Sequence, residues 1–394
     1  MTASGEKALL PAGLGDGLPP AAAQEAWAIE RLIAIFAARG YARVKPPLIE
    51  FEETLLAGAG SDLGPQTFRL MDPVSQRMMG LRADMTPQVA RIAATRLARE
   101  PRPLRLCYAG QVLRVKGSQL RPERQFAQVG AELIGSAAEA ADAEVVLLAA
   151  QALSELGAKP LTVDLTLPTL VRSLAEGLGV AEAEIPALRD ALDRKDAAAT
   201  QAAAGGNAEL FLKLLRLAGP ADRALEELAR LPLPEAPARE LAAMARMVAR
   251  IHAAAPYLAL TFDPSEHRGF EYQTGASFTI FARGVRGELG RGGRYEARQS
   301  GAGESEGDEP QPSTGFTLFM DTVLRALPAP QVSHSVYLPE GTAEETAEAL
   351  RQEGWVTLAA LDPEGEPKSD PEAEARRLGC AAVLLDGTLK TLKD

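Results

Sequence analysis

Residues 124–135 read RQFAQVGAELIG. Successive side chains of an extended chain point to opposite faces, so Val129, Ala131 and Leu133 share one side and Arg124, Gln128 and Glu132 the other. The stretch is a strand with one apolar face for a core. Its polar face has two readings: a sheet surface open to water, or the floor of a polar cleft. Upstream, Leu104, Leu106 and Tyr108 show the same alternation, so residues 104–134 form strands.

Working outward, the period changes to that of helices. Residues 21–39 carry Ile29, Leu32, Ile33 and Phe36 on one face, with Gly40 placed as a C-terminal cap. An extended stretch with Pro46 and Pro47 follows. A second helix starts at Thr86-Pro87, with Thr86 as N-cap, Pro87 at the first helical position, and Val89, Ile92, Ala93 and Leu97 as its stripe. Residues 142–156 predict a helix stopped by Gly157, and residues 161–166 a strand. Residues 168–255 are rich in Ala, Leu and Glu with helical spacing throughout, which predicts an all-helical insertion. Strands return at 258–263, 270–283, 287–289 and 314–320. Between the last two, residues 299–313 hold four acids, no base and many Gly, Ser and Pro, a composition that predicts disorder. From Val332 the pattern is a small α/β unit, with strands at 336–338, 356–360 and 383–385 and helices at 342–352 and 371–378.

The chain has 394 residues, 46% apolar and 24% charged, enough for a real core and two or three domains. Its net charge of -11 argues against a large nucleic-acid surface, which needs a dense Lys/Arg stripe. Cys107 and Cys380 match no metal spacing and fit a reduced, cytoplasmic setting. Three histidines are too few and too scattered for a zinc cluster, so neither metal nor cofactor is expected. The N-terminal residues lack the apolar core of a signal peptide, and no apolar run is long enough to cross a membrane.

The glycine clusters are weak signals. Gly58-Ala59-Gly60 through Gly64 is not a dinucleotide fingerprint, and no phosphate-cradling GxxxxGK[ST] loop occurs. Residues 290–295, GRGGRY, read as an ordinary flexible turn, with a second reading as anion and ring contacts. A polar set spread over four segments is the stronger signal: Asp84 and Thr86 at a helix start, Arg114 within a strand at 112–115, Gln128 and Glu132 on one strand face, and Arg268 and Tyr272 flanking another strand start. Two acceptors can hold an ammonium and an imidazole N–H, and an arginine can hold a carboxylate, which suits a free amino acid.

Six segments in order carry a family resemblance over about 330 residues: LPAGLGDGLP (10–19), LRADMTPQVAR (81–91), CYAGQVLR (107–114), RQFAQVGAELIG (124–135), HRGFEYQTG (267–275) and GRGGRYE (290–296). They resemble the catalytic domain of class II histidyl-tRNA synthetases. The resemblance implies an α+β fold: an antiparallel sheet flanked by helices over residues 1–330, with a helical insertion at about 168–256 and a small C-terminal α/β domain at 331–394. The segment 21–56 resembles the family's dimerisation motif.

The departures fall at the nucleotide end. The synthetases' Phe-Arg-x-Glu reads Leu113-Arg114-Val115-Lys116, and their Gly-x-x-x-Gly-x-Glu-Arg reads Gly315 to Thr322 with Phe319 at the second glycine and Thr322 at the arginine that grips the triphosphate. Losing one charged hydrogen bond costs roughly 1.5–3 kcal/mol, and a transferring triphosphate needs its charge neutralised. A synthetase-like body with an altered ATP site and a shortened tail resembles the regulatory subunits of ATP phosphoribosyltransferase. That resemblance implies no catalysis by this chain and no tRNA binding. It implies assembly with the short catalytic subunit, as a hetero-oligomer of the hetero-octamer kind, and feedback inhibition by histidine. The alternative is an active histidine–tRNA ligase. Carried over by position, the histidine-pocket candidates are Asp84, Thr86, Arg114, Gln128, Glu132, Arg268, Tyr272 and Tyr295; Gln273 stands where the family has a ring-contacting tyrosine.

Overall fold

The computed structural model describes residues 10–118, 121–267, 273–297, 310–329, 334–361 and 370–392. By contacts the chain divides into two compact units, Met1–Pro328 and Ala329–Asp394.

The first apolar stripe folds as helix α1, Ala21–Ala37, burying Leu32, Ile33 and Phe36, and Gly40 beyond it adopts φ 84°. Short strands β1 (Ala42–Arg43) and β2 (Ile49–Phe51) and the one-turn helix α2 (Glu52–Leu55) lead through a 3-10 stretch, Gly58–Gln66, to β3 (Arg69–Met71) and β4 (Met78–Leu81). β2, β4 and β3 form a small antiparallel sheet. Helix α3, Thr86–Thr95, is followed by the long strands β5 (Leu104–Leu113) and β6 (Gln125–Ile134), then by helix α4 (Glu139–Leu156) and β7 (Leu161–Thr166). Gly157 ends α4 at φ 103°, a backbone conformation that glycine takes without strain.

The inserted region contains α5 (Leu170–Gly177), α6 (Ile185–Asp193), α7 (Ala197–Ala204), α8 (Ala208–Arg216), the two-residue β8 (Gly219–Pro220), α9 (Ala221–Ala229) and α10 (Glu235–Ala254). The expectation of an all-helical insertion is corrected by β8, which pairs with β9, Ala259–Asp263. The chain returns through β10 (Gln273–Ala282), β11 (Gly290–Ala297), β12 (Gln311–Phe319) and helix α11 (Met320–Ala326).

These strands build one nine-stranded sheet in the order β1-β5-β6-β12-β11-β10-β7-β9-β8. It is antiparallel except for β1 beside β5 and β7 beside β9. One face carries the main core: Val129, Ala131 and Leu133 of β6 pack with α1 and α4, and Phe36 meets Phe316 edge-on at 5.5 Å. The opposite face carries a smaller core in which Met85, Val89 and Ala93 meet Tyr108, Phe126, Tyr295 and Phe319.

Two sequence expectations change here. The predicted strand at 287–289 is displaced to β11, so GRGGRY is a central strand and not a turn. A Cβ on Gly292 would lie 2.2 Å from the Gly315 carbonyl oxygen, and one on Gly130 would lie 2.4 Å from the Tyr108 ring. The glycines are there for close approach between strands. The acidic stretch 299–313 falls mostly outside the described residues, but its end belongs to β12, where Gln311 pairs with Ala297.

The second unit holds β13 (Ser335–Leu338), α12 (Glu344–Gln352), β14 (Val356–Ala359), α13 (Pro371–Arg377), β15 (Ala382–Leu385) and β16 (Thr388–Thr391), with sheet order β14-β13-β15-β16. β16 closes the sheet as a hairpin with β15, an element that the sequence pattern does not announce. Each unit buries one free cysteine, Cys107 in the first and Cys380 in the second. Among the described residues no helix is long and apolar enough to cross a membrane.

Candidate amino-acid site around Glu132

The polar face of β6 is not open to water. Gln128 is 0% and Glu132 1% exposed, so of the two readings the buried polar floor is the correct one. Glu132 lies beneath the start of α3 and between three tyrosine- and threonine-bearing strands. Its Oε1 accepts from Thr86 Oγ1 at 3.1 Å and from Tyr108 OH at 3.2 Å, and its Oε2 accepts from Tyr295 OH at 3.0 Å. Tyr108 OH also lies 2.8 Å from Thr317 Oγ1 and 3.2 Å from Thr86 Oγ1. The three groups that donate to the carboxyl are neutral hydroxyls. Burial therefore dominates and pushes Glu132 up from 4.5 to about 8, against the pull of Tyr295, Thr86 and Tyr108 and with a small push from Asp84.

The α3 start is held by a second set of bonds. Gln128 Nε2 donates to Asp84 Oδ2 at 2.8 Å, and Gln128 Oε1 accepts from the Met85 backbone N–H at 3.0 Å. Asp84 Oδ1 accepts from the Thr86 N–H at 3.0 Å. Thr86 is thus not the N-cap expected from sequence: Met85 occupies that position, Asp84 serves the free N–H, and the Thr86 hydroxyl turns to Glu132. Gln128 is committed to the helix start, so it orients Asp84.

Arg114 follows β5, with Nε donating to the Ala83 carbonyl at 3.3 Å. Burial draws its guanidinium downward, Asp84 opposes that, and nearby Arg291 and Arg121 add to it. Six of the eight candidates, Asp84, Thr86, Arg114, Gln128, Glu132 and Tyr295, are therefore gathered at the α3 end of one sheet face. Arg268 and Tyr272 lie outside the described residues. Gln273 is buried at the start of β10, opposite Tyr295, and its Oε1 accepts from Ser277 Oγ at 2.7 Å.

Two members of the site escaped the sequence reading. Tyr108 and Thr317 complete the hydroxyl ring, but both sit in strands where alternation marks them as core. The available signal was the glycine set: Gly130 lies opposite Tyr108, and Gly315 opposite Glu132. A Cβ on Gly315 would fall 1.8 Å from Glu132 Oε2, and one on Gly293 would fall 1.9 Å from Gln273 Oε1. Arg294, singled out with the glycines as an anion contact, instead forms an ion pair with Asp142 at 2.9 Å.

Thr86, Glu132, Gln273, Arg291, Tyr295 and Thr317 with their glycines enclose about 20 Å³, space for roughly one water molecule. A free amino acid requires these walls to part. Larger depressions lie elsewhere among the described residues: about 690 Å³ along α4 beside Arg39 and Arg105, about 510 Å³ beside α2 over Leu56 and Met78, and about 390 Å³ between α10 and β10 over Met244 and Met247. Among the described residues no cluster of His, Cys, Asp and Glu is arranged to hold a metal ion.

The neighbouring end of the same face is filled. Phe319 packs edge-on against Phe126 with centroids 6.0 Å apart, and the Arg121 guanidinium lies 3.8 Å over the Phe319 ring. Arg121 Nε donates to Asp321 Oδ2 at 3.0 Å and Arg121 lies 3.7 Å from Glu288. Thr322 is buried beside Asp321, and Lys116 is exposed.

Fold and site together define a histidyl-tRNA synthetase-like body of the class II type. The sequence model of the histidyl-tRNA synthetase family matches residues 13–323. The ATP phosphoribosyltransferase regulatory subunit of Rhodospirillum centenum is 56% identical over 387 residues, 98% of this chain and 97% of its own length. A crystal structure of an ATP phosphoribosyltransferase regulatory subunit/histidyl-tRNA synthetase from Bacillus halodurans C superposes with TM-score 0.77 at 25% identity, covering 94% of this chain and 96% of that one. The ATP phosphoribosyl transferase (HisG:HisZ) complex from Thermotoga maritima contains a chain of the same fold, with TM-score 0.58 at 16% identity over 75% of this chain and 97% of that one. This chain belongs to the family of ATP phosphoribosyltransferase regulatory subunits.

Proposed function

We propose that this chain is a non-catalytic regulatory subunit that the short-form ATP phosphoribosyltransferase requires in the first step of histidine biosynthesis, and that histidine binds at Glu132 to inhibit the assembly. The observation that carries this reading is the contrast between the two ends of one sheet face. The amino-acid end keeps Thr86, Glu132 and Tyr295 around a small polar cavity, with Asp84 at the adjoining start of α3. The nucleotide end is closed by Phe319, Phe126 and an Arg121 bound to Asp321. A triphosphate entering there has to displace an edge-on aromatic pair and break a buried ion pair, and finds Thr322 where an arginine is needed.

Histidine's roles are then divided. Asp84 takes the ammonium, Glu132 the imidazole N–H, and Arg114 the carboxylate, with Arg268 and Tyr272 as further contacts and Gln128 orienting Asp84. The chain works without metal or cofactor. It forms a dimer through residues 21–56 and a hetero-octamer with the catalytic subunit, in the cytoplasm and without binding tRNA. Coupling between the histidine site and the partner's active site is reciprocal, so partner substrates change histidine affinity by the same factor that histidine changes theirs.

Two measurements test this. Mixing the purified chain with the short catalytic subunit raises phosphoribosyl-ATP formation, and added histidine lowers it. Histidine-dependent ATP–pyrophosphate exchange by the chain alone stays at background. Exchange well above background supports the alternative, an active histidine–tRNA ligase, and overturns the regulatory role.

A further inference from the structure

The cleft between α10 and β10 serves no role in the regulatory reading. It encloses about 390 Å³, within the range of small-molecule pockets. Its wall is made by an irregular stretch of strand. The pairing of β10 with β11 shifts register between Gln273 and Ser277, the kind of interruption that re-aims a strand beside a site. Thr274, Gly275 and Ala276, which fall in that interruption, line the cleft. A Cβ on Gly275 would come 3.0 Å from Arg294 Cδ, so the wall closes tightly against β11. Gln273, one residue earlier, lines the Glu132 cavity. Among the described residues the two cavities share strands but no lining side chain.

The apolar part of the lining is Leu167, Ala276, Met244 and Met247. The charged part is acidic: Glu139, Asp142 and Glu240 against Arg294. Arg294 is already engaged. Its Nε and Nη2 donate to Asp142 Oδ2 at 3.1 and 2.9 Å, its Nη1 to the Ser136 carbonyl at 2.8 Å, and its Nη2 also to the Ala138 carbonyl at 3.0 Å. Glu139 has Arg246 at 2.7 Å. Glu240 differs: it accepts from the Thr169 hydroxyl and has no ion pair among the described residues. Asp142 is 6% exposed, and its Oδ1 has no hydrogen-bond partner among the described residues, a condition buried acceptors rarely keep. A ligand with a positive charge and N–H donors completes these acids. Its body lies on the methionines, whose thioether sulfurs favour an aromatic ring. A ligand carboxylate would instead meet Glu139 and Glu240 as like charges.

We propose that this cleft is a second ligand site, taking a small aromatic amine that carries no carboxylate, with Glu240 as the anchor of its ammonium. The proposal goes beyond the regulatory reading and stands whether or not histidine binds at Glu132. Its test uses the full chain in a ligand-observed NMR titration with phenethylamine. 2-Phenylethanol and phenylacetate serve as the neutral and anionic counterparts of the same body. Phenethylamine binds saturably and about tenfold more tightly than 2-phenylethanol, while phenylacetate does not bind. Glu240→Gln keeps the shape, removes the charge and weakens the amine about tenfold, as the loss of one charged hydrogen bond predicts. Ala243→Phe, from a half-buried position on α10 that lines the cleft, fills the space and abolishes binding; it serves if Glu240→Gln disturbs the fold. Glu235→Gln, an exposed acid of the same helix paired with Arg239, has no effect, and excess histidine does not displace the amine. Absence of saturable phenethylamine binding overturns the proposal, as does equal binding of the amine and the alcohol. Affinity unchanged in folded Glu240→Gln, or surviving in Ala243→Phe, places the amine elsewhere and overturns it too. A loss in Glu235→Gln as large as in Glu240→Gln reduces the effect to surface charge, and displacement by histidine moves the amine to the Glu132 cavity; either result rejects the cleft as its site.

Discussion

Replacing Glu132 by glutamine separates what this side chain does for the fold from what it does for a ligand. The fold raises the carboxyl from 4.5 to about 8, so the native state favours the protonated form. The resulting stability is fully present below about pH 4.5 and is lost as pH rises through about 8. From those two values, the burden this carboxyl places on the fold, as stability lost relative to low pH, is roughly 2 kcal/mol at pH 6 and roughly 5 kcal/mol at pH 9. Glutamine has no such burden. It still offers a carbonyl to Thr86 and Tyr108, and its amide faces a Tyr295 hydroxyl that can turn to accept, so the exchange costs about 1 kcal/mol or less in hydrogen bonding. Urea denaturation of ligand-free wild type and Glu132→Gln near pH 6 and pH 9 measures the double difference, in which the other titrating groups cancel. Both conditions keep the chain clear of its isoelectric point near 5.1. The variant is the more stable, and its advantage grows by roughly 3 kcal/mol between the two pH values. The same variant binds histidine at least tenfold more weakly, since glutamine cannot ionise to meet an imidazole N–H as the carboxyl can. A constant difference across pH, or a wild type that gains on the variant as pH rises, refutes the reasoning.

Other substitutions probe the walls. Gly315→Ala places a methyl group 1.8 Å from Glu132 Oε2 and 2.6 Å from the Ala131 carbonyl oxygen; the carboxyl can swing but the backbone cannot, so a loss of about 1–3 kcal/mol is expected, read as a drop of several degrees in melting temperature. Arg121→Met leaves Asp321 buried without its cation and uncovers the Phe319 ring; a loss of about 3–5 kcal/mol follows, and adding Asp321→Asn recovers part of it in a thermal melt. An Arg121→Met variant as stable as wild type removes the ion pair from any account of how that end is closed.

Much of the architecture was legible in the sequence because it rests on local periodicity. The alternation at 129–133 and the stripes of α1 and α3 report directly which face is buried. The Gly-rich β11 was misread because glycine lacks the side chain from which alternation is inferred. Its reason for being a strand lies across the sheet, in the Gly315 carbonyl and the Phe278 ring. The same holds for the site. Gln128 and Glu132 were found because polar groups on a strand face are conspicuous, whereas Tyr108 and Thr317 became site residues only when the β5-β6-β12 register placed them beside Glu132. The Thr86 hydroxyl, read as a local cap, was claimed by that long-range partner instead. Phe319 and Thr322, conspicuous in the sequence as departures, lie at the filled end of the face. The part of Arg121, far away in sequence from Asp321, was not conspicuous.

Each compact unit hides one thiol. Cys107 donates to the Tyr41 carbonyl at 3.5 Å, and burial pushes it up to about 11, with Arg43 working weakly against it. Cys380 is likewise enclosed in the smaller unit. Burial therefore keeps both thiols from an alkylating reagent in the native protein. Modification becomes a clock for opening, and because the two positions separate by peptide mapping, one timed labelling run reports which half of the molecule breathes first.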